Sequence, residues 1–204
     1  MKIFCVGRNY ADHAKELNNA VPERPVIFMK PPSALLKNQR AFYYPDISEN
    51  VHFECELVIR IEKNGKHIQQ KFARKYYQRY TLGLDLTARD LQTDLKSKGL
   101  PWELAKGFDG SAVLGHQWLT LEEDDDIQQL SFDLKKNSET VQLGNTGTML
   151  FKVDELISFI SQYFTLQQGD LIYTGTPAGV GPLAVGDILE GHSQGRKLLH
   201  CEVK

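Results

Sequence analysis

The chain contains the apolar stretch His52-Phe-Glu54-Cys-Glu56-Leu-Val-Ile-Arg-Ile61, followed by Leu82-Gly-Leu-Asp85-Leu-Thr-Ala-Arg89-Asp90. Both stretches are typical of buried strands, and both contain carboxylates. Because side chains alternate along a strand, Glu54 and Glu56 are predicted to project from the same face. Asp85 lies at the centre of the second apolar run. Burying carboxylates in hydrophobic strands is costly unless a cation or hydrogen bonds compensate. Three oxygen donors on neighbouring strands therefore predict a site for Mg²⁺ or a similar ion.

An ordinary ion pair with lysine or arginine is the alternative interpretation of each carboxylate. The all-oxygen donor set excludes a typical zinc or copper site and favours Mg²⁺, with Mn²⁺ or Ca²⁺ as other choices. Three carboxylates around a divalent ion would leave a net negative charge. An anionic substrate would then need cations nearby, for which Arg89, Lys106 and Lys30 are the candidates.

The composition narrows the class of protein. With 204 residues, 41% of them hydrophobic, the chain is expected to form one domain over 1–204. A net charge of −2 gives no electrostatic case for a nucleic-acid or membrane partner. The three cysteines lack CxxC spacing, and no long apolar run opens the chain. These features predict a cytoplasmic protein in a reducing compartment.

Strand signals dominate the chain, and the predicted fold class is a β-rich α+β domain with a few short helices. Predicted strands cover 2–6, 26–29, 52–61, 81–87, 111–114, 129–134, 171–174, 187–190 and 197–203. Helices are predicted from a cap at Asn9 or Asp12 to Leu17, over Gln92–Gly99 and over Val153–Tyr163.

One polar segment near the N-terminus pairs an imidazole with a carboxylate. On a helix, His13 and Glu16 lie three residues apart and can touch. Such a carboxylate fixes the tautomer of the imidazole and raises its basicity, which suits a general base that activates water. An incidental contact on a polar helix face is the alternative.

Two further segments have either a chemical or a plain structural interpretation. Lys106 follows apolar residues and precedes a glycine, so it could stabilise an oxyanion or simply extend to solvent. The glycine-rich stretch 174–182 follows a strand but lacks the ending of a P-loop. It could bind a small carboxylate or form an ordinary turn.

Two charged stretches are assigned no chemistry. The acidic run 122–126 lacks Ca²⁺-loop spacing and is interpreted as a solvated loop. The basic and aromatic run 74–80 is interpreted as a helix end that leads into the Asp85 strand.

Taken in order, six motifs resemble the fumarylacetoacetate hydrolase family over nearly the whole chain. They are GRNYADHAKEL (7–17), PVIFMKPPSAL (25–35), the ExE of Glu54 and Glu56, LDLTARDLQ (84–92), KGLPWELAKGFD (98–109) and TGTPAGVGP (174–182).

This resemblance implies a mixed β-roll or β-sandwich fold, a homodimer and a bound Mg²⁺ or Mn²⁺. Family members act on 2-oxo or 2,4-dioxo acids by C–C hydrolysis, decarboxylation or enol–keto isomerisation. The matching metal ligands are Glu54, Glu56 and Asp85, and the matching catalytic residues are His13, Glu16 and Lys106. Arg89, Gln92, Thr176 and Lys30 match substrate-binding positions, and residues 17–25 match a lid.

The chain also departs from the family pattern. The segment 145–151 lacks the Thr-Ser pair that often precedes Met-Ile-Phe, and Gly107 and Asp109 follow Lys106 where serine is common. No additional N-terminal domain precedes the motifs, so fumarylacetoacetate itself is not the expected substrate.

The leading hypothesis is a metal-dependent acylpyruvate hydrolase or oxaloacetate decarboxylase. A pyruvate-type head would bind the metal, Lys106 would help to stabilise an enolate, and the His13–Glu16 dyad would deprotonate the attacking water. The alternatives are an isomerase or decarboxylase acting on a dienedioate in aromatic catabolism, and a catalytically silent member of the fold.

Overall fold

The computed structural model describes residues 1–16 and 20–204. The end of the predicted first helix at Leu17 and part of the predicted lid 17–25 lie outside the described residues. In the described part, the strands are β1 (Ile3–Gly7), β2 (Val26–Lys30), β3 (Leu35–Leu36), β4 (Val51–Phe53), β5 (Cys55–Arg60), β6 (Arg79–Asp85), β7 (Thr87–Ala88), β8 (Ala112–Leu114), β9 (Leu119–Thr120), β10 (Ser131–Lys136), β11 (Glu139–Asn145), β12 (Leu171–Tyr173), β13 (Gly181–Pro182), β14 (Ile188–Ser193) and β15 (Arg196–Glu202). The α-helices are α1 (Ala11–Glu16), α2 (Arg89–Ser97), α3 (Glu103–Lys106) and α4 (Val153–Tyr163).

The largest sheet holds the carboxylate-bearing strands at its centre. Its order is β2-β1-β12-β5-β6-β8-β3, and β9 pairs with β6. β5 and β6 are antiparallel, with Cys55 opposite Leu84 and Glu56 opposite Gly83. Nearly every residue of these two strands is buried, as their apolar and β-branched composition predicts.

Two smaller sheets complete a curled half-barrel. One has the order β11-β10-β14-β15 and the other β13-β4-β7. The four-stranded sheet packs on the large one, since a Cβ added at Gly191 would lie 3.1 Å from a methyl carbon of Leu82. The backbone N–H of His116 also donates to the carbonyl of Leu198 at 2.9 Å. The core therefore lies between the sheets.

The longest described helix, α4, is amphipathic. α4 buries Val153, Leu156, Ile157 and Ile160, whose spacing places them on one helical face. α4 packs on the 3₁₀ segment Gln70–Tyr76. Tyr77, the residue after this segment, donates a hydrogen bond to Asp154 of α4 at 2.9 Å. In the part of the chain that the structure describes, no helix is long and apolar enough to cross a membrane.

The predicted β-rich class with a few short helices is confirmed. The prediction over 153–163 matches α4, whereas α2 begins at Arg89, three residues before the predicted start. The predicted strand 52–61 is interrupted at Glu54, and β11 was not predicted. The basic stretch 74–80 is structural, because Arg74 donates to the carbonyls of Tyr77 and Leu121.

Candidate active site

Three carboxylates meet where the central strands end. Glu54 occupies the break between β4 and β5, Glu56 is the second residue of β5 and Asp85 is the last of β6. One oxygen from each lies within 4.8 Å of the other two, and the residues are only 5%, 2% and 1% exposed. The backbone N–H of Asp85 donates to the carbonyl of Glu54 at 2.9 Å, which holds the strand ends together. The predicted same-face arrangement thus produces one buried oxygen cluster.

Three cations surround this carboxylate cluster. The ammonium of Lys106 donates to Glu54 Oε2 at 2.8 Å and to Asp85 Oδ2 at 2.9 Å. Arg89 donates to Glu54 Oε1 at 2.5 Å, and Lys30 lies 2.7 Å from Asp85 Oδ1. Buried charges require such partners, because an uncompensated charge in a protein interior is strongly destabilising.

The three cations are not distributed evenly over the carboxylates. Burial alone would raise the pKa of Glu54. The positive charges of Lys106 and Arg89 together lower it by more, so the pKa lies well below its usual range. Burial and the neighbouring charges of Asp85 and Glu54 raise the pKa of Glu56 instead. Burial lowers the pKa of Lys106, yet Asp85 and Glu54 raise it above its ordinary value. Lys106 is therefore a charged ammonium, and Glu56 is the carboxylate with the least cationic support.

Glu56 is bound by the glycine-rich loop instead. The backbone N–H of Gly175 donates to Glu56 Oε2 at 2.7 Å. Gly175 has φ +102°, and a Cβ there would lie 2.6 Å from the Cβ of Asn9. Only glycine satisfies both the backbone conformation and the close approach. The segment 174–182 is thus a wall of the site as well as a turn.

Thr176 in the same loop lines the cavity with its hydroxyl already engaged. Its Oγ1 donates to the carbonyl of Cys55 at 2.8 Å and accepts from Gln142 Nε2 at 2.9 Å. Gln142 also accepts from the backbone N–H of Cys55 at 2.9 Å. Gln142, which the sequence did not single out, therefore holds the Glu54–Glu56 segment against the loop.

The predicted imidazole–carboxylate pair is present on α1. His13 Nδ1 lies 3.2 Å from Glu16 Oε2, and Glu16 accepts a hydrogen bond from the backbone N–H of Gly179 at 3.1 Å. His13 is 5% exposed and lines the cavity over the carboxylates. With Nδ1 facing Glu16, Nε2 is the ring nitrogen left to exchange a proton with a ligand.

A single cavity with about 510 Å³ of free space, including its open mouth, connects these groups. Eight residues that the sequence singled out line this cavity: His13, Glu54, Glu56, Asp85, Arg89, Gln92, Lys106 and Thr176. Its other walls include Arg8, Phe28, Lys96 and Trp102. Three of these residues belong to the quoted motifs: Arg8, Phe28 and Trp102. The sequence alone did not predict that they would line the cavity.

Lys30 does not line the cavity, although it matches a substrate-binding position of the family. Its ammonium donates to the backbone carbonyls of Leu86, Lys106 and Ser111, and it also pairs with Asp85. Lys30 therefore approaches Asp85 from the protein interior. The divergent segment 145–151 likewise contributes no residue to the cavity wall.

Comparisons with known proteins point to one family. Residues 2–203 match the family model described as fumarylacetoacetate hydrolase, C-terminal. The chain is 46% identical to the mitochondrial oxaloacetate tautomerase FAHD1 of Arabidopsis thaliana, covering 91% of this chain and 82% of the relative. It is 42% identical to oxaloacetate tautomerase YcgM of Escherichia coli K12, covering 97% and 92% of the two chains.

A solved structure extends the similarity to three dimensions. Fumarylpyruvate hydrolase from Pseudomonas aeruginosa, in complex with Mn²⁺ and pyruvate, superimposes with a TM-score of 0.92 at 35% identity. The match covers 100% of this chain and 89% of that chain. The chain belongs to the fumarylacetoacetate hydrolase family, as its ordered motifs predicted, and it has the fold of that family.

Proposed function

We propose that this member of the fumarylacetoacetate hydrolase family is a divalent-metal-dependent enzyme acting on small 2-oxo acids, with enol–keto tautomerisation of oxaloacetate as its main reaction. The observation that carries the proposal is the buried carboxylate cluster of Glu54, Glu56 and Asp85 in a cavity that also contains His13 and Lys106. Relatives named oxaloacetate tautomerase, 46% and 42% identical to this chain, support the choice of reaction.

The carboxylate cluster fits a hard divalent cation. Glu54, Glu56 and Asp85 offer only oxygen donors, with atoms within 4.8 Å of one another, as Mg²⁺, Mn²⁺ and Ca²⁺ prefer. We propose Mg²⁺ or Mn²⁺, since the fumarylpyruvate hydrolase of similar structure is in complex with Mn²⁺ and pyruvate. When bound, such an ion supplies a Lewis acid that polarises the 2-oxo group and stabilises negative charge on its oxygen.

Tautomerisation requires one proton to leave the enol oxygen and another to reach C3. His13 is suited to carry a proton, because Glu16 orients the ring and Nε2 is left for the ligand. The ammonium of Lys106, which donates to Glu54, Asp85 and Thr87, places a positive charge at the cavity wall that can stabilise the enolate oxygen. Arg89 and Gln92 lie side by side on the cavity wall, joined at 2.6 Å, and present donors for the 1-carboxylate of the ligand.

Acylpyruvate hydrolysis is the second candidate, and the His13–Glu16 pair favours it. The pair can remove a proton from water, the resulting hydroxide attacks C4, and the C3–C4 bond breaks to a carboxylic acid and a pyruvate enolate. Where C4 is itself a carboxylate, loss of CO₂ gives the same enolate without an attacking water. Isomerisation of a dienedioate is the third candidate, because it would use the same proton-transfer groups.

A substrate panel separates these reactions. Metal-free protein is supplied with Mg²⁺ or Mn²⁺ and assayed with enol oxaloacetate, acetylpyruvate and 2-hydroxyhepta-2,4-diene-1,7-dioate. Faster loss of the enol ultraviolet absorbance, without pyruvate release, supports the tautomerase. Pyruvate release supports hydrolysis or decarboxylation, and a spectral change of the diene supports the isomerase. No metal-dependent turnover of any of the three contradicts the proposed function.

We further propose a cytoplasmic homodimer. The dimer rests on the family resemblance, and the location on the three cysteines, which are free and buried as in proteins of reducing compartments. Light scattering during gel filtration tests the assembly, with a mass of twice the 23.2 kDa chain expected. Fractionation of cells tests the location.

A further inference from the structure

Arg8 contributes a long cationic side chain to the cavity wall. It lines the same cavity as the carboxylate cluster and is half-buried. Among residues 1–16 and 20–204, its guanidinium makes neither a hydrogen bond nor an ion pair. The backbone of Arg8 has φ +59°, a left-handed conformation that a non-glycine residue adopts at a cost. The protein thus holds a long cationic side chain at the cavity wall, at a position where the backbone conformation is unfavourable.

Lys96 brings a second positive charge to the same cavity. Arg89, Gln92 and Lys96 are spaced by three and four residues along α2, so they share one helical face, and all three line the cavity. Arg89 pairs with Glu54 and Gln92, which places it beside the carboxylate cluster. Lys96 lies one turn beyond Gln92 on the same face of α2, so it adds a positive charge to the cavity wall separately from Arg89.

An aromatic wall joins the carboxylate cluster to Arg8. The ammonium of Lys106 lies 5.2 Å from the centre of the Phe28 ring, and Phe28 packs edge-on against Trp102 at 5.9 Å. A Cβ at Gly7, the residue before Arg8, would lie 3.8 Å from the Trp102 ring. The cavity therefore passes from the carboxylates, along two flat apolar rings, to Arg8.

We propose that Arg8, assisted by Lys96, forms a subsite for the second carboxylate of a 2-oxo dicarboxylate substrate. This inference rests on the proposed function, because the 2-oxo acid head must occupy the carboxylate cluster. Phe28 and Trp102 then contact the carbon chain, and the guanidinium binds the distal carboxylate in a charge-assisted hydrogen bond. The subsite selects dicarboxylic over monocarboxylic 2-oxo acids.

The matched test uses two substrates that differ at the distal group: oxaloacetate, which has a charged carboxylate there, and its 4-methyl ester, which is neutral there and one methyl group larger. Tautomerisation of both is followed with Mn²⁺ present in the wild type, Arg8→Asn and Lys96→Gln. Asparagine is chosen at position 8 because it tolerates a positive φ. Arg40→Asn and Lys98→Gln are the controls, since these exposed residues do not line the cavity and Lys98 lies just after the same helix.

The wild type is expected to prefer oxaloacetate over the ester by about 10- to 100-fold in kcat/KM, the range for a charged hydrogen bond. Arg8→Asn should remove most of this preference by slowing oxaloacetate alone, and Lys96→Gln should remove part of it. Arg8→Lys, which keeps the charge, should retain part of the preference and also serves if the asparagine variant does not fold.

Two other results are distinguishable from this one. Equal losses on both substrates in Arg8→Asn, or a wild type that turns over the ester as well as the acid, would overturn the subsite while leaving the proposed function intact. A wild type that turns over neither substrate would overturn the proposed function, and the subsite with it.

Discussion

His13 is the residue on which the distinction between an enzyme and a silent binding protein depends. It lines the cavity, and Glu16 fixes one of its ring nitrogens. We predict that His13→Ala lowers kcat by about 10²- to 10⁴-fold, the usual contribution of a positioned acid or base. Mn²⁺ affinity, measured by calorimetry, should change little, since the carboxylates proposed to bind the metal are untouched.

Glu16→Gln should give a smaller loss of kcat than His13→Ala, because glutamine can still accept a hydrogen bond from the ring and hold it in place. His67→Asn is the control, as His67 is exposed and lies outside the cavity, and asparagine tolerates its φ of +52°. Unchanged turnover in His13→Ala would remove this histidine from the mechanism.

Lys30 is predicted to act on stability rather than on substrate affinity. Its ammonium is fully buried against Asp85 and three carbonyl oxygens, and it does not reach the cavity. Lys30→Met would leave Asp85 with Lys106 as its remaining cation, and such losses cost about 3–5 kcal/mol of unfolding free energy. Urea unfolding of the metal-free protein measures this change.

The kinetics of the same variant separate the two roles of Lys30. If Lys30 supports Asp85, the folded fraction of Lys30→Met should show a KM for oxaloacetate near that of the wild type once Mn²⁺ is saturating. A KM increase without loss of stability would instead assign Lys30 to substrate binding, as its match to the family motif implies.

At the scale of elements, Asn9 connects three segments that carry the site. Its side-chain amide donates to the carbonyls of Phe151 and Thr174, and its side-chain carbonyl accepts from the backbone N–H of Phe151. Asn9 was a predicted cap for α1, but its side chain instead binds the loop before α4 and the end of β12. Asn9 therefore fixes the position at which α1 begins, and with it the position of His13.

We predict that Asn9→Ala lowers the unfolding free energy by about 3 kcal/mol, because it leaves buried backbone groups without partners. It should also lower kcat, since α1 loses its attachment beside the Gly175 loop. Thermal unfolding and steady-state kinetics test both effects. Asn50→Ala is the matched control, because Asn50 is exposed and its side-chain amide lies 3.0 Å from the ring of His52, away from the cavity. Wild-type stability in Asn9→Ala would contradict this role.

The sequence predicted the elements whose burial follows from their own residues. β5, β6 and α4 were found because their apolar residues repeat at the period of a strand or helix. β11 was missed because it alternates mostly polar residues on a half-exposed strand, and its partner β10 determines its position. The break at Glu54 was missed for a similar reason, because it occurs where the chain passes from β4 in the three-stranded sheet to β5 in the largest sheet.

The same distinction applies to the site. Glu54 and Glu56 could be paired from spacing alone, because alternation along a strand is a local property. Which way Lys30 points depends on how β2 registers against β1, and the residues of β2 do not encode it. Arg8, Lys96 and Trp102 meet only in the folded chain, so no local pattern could have placed them in one cavity.

At the scale of the whole molecule, the carboxylate cluster sits where the central strands of the largest sheet meet the smallest sheet. Lys30, Arg89 and Lys106 already neutralise much of its charge. We therefore predict that metal-free protein remains folded after chelation with EDTA, in contrast to small metal-dependent domains that unfold without their ion.

Adding Mn²⁺ should still stabilise the whole fold, because the ion binds the assembled site and not the unfolded chain. At a free concentration 100-fold above Kd, linkage gives about 2.7 kcal/mol, which corresponds to a Tm increase of about 5–10 °C for a chain of this size. Glu56→Gln should abolish the increase, since it replaces one of the three carboxylates with a neutral amide. Glu62→Gln should retain it, because Glu62 lies outside the cluster and pairs with Arg60 and Arg79. A Tm that Mn²⁺ leaves unchanged in the wild type would show that these three carboxylates do not form a metal site.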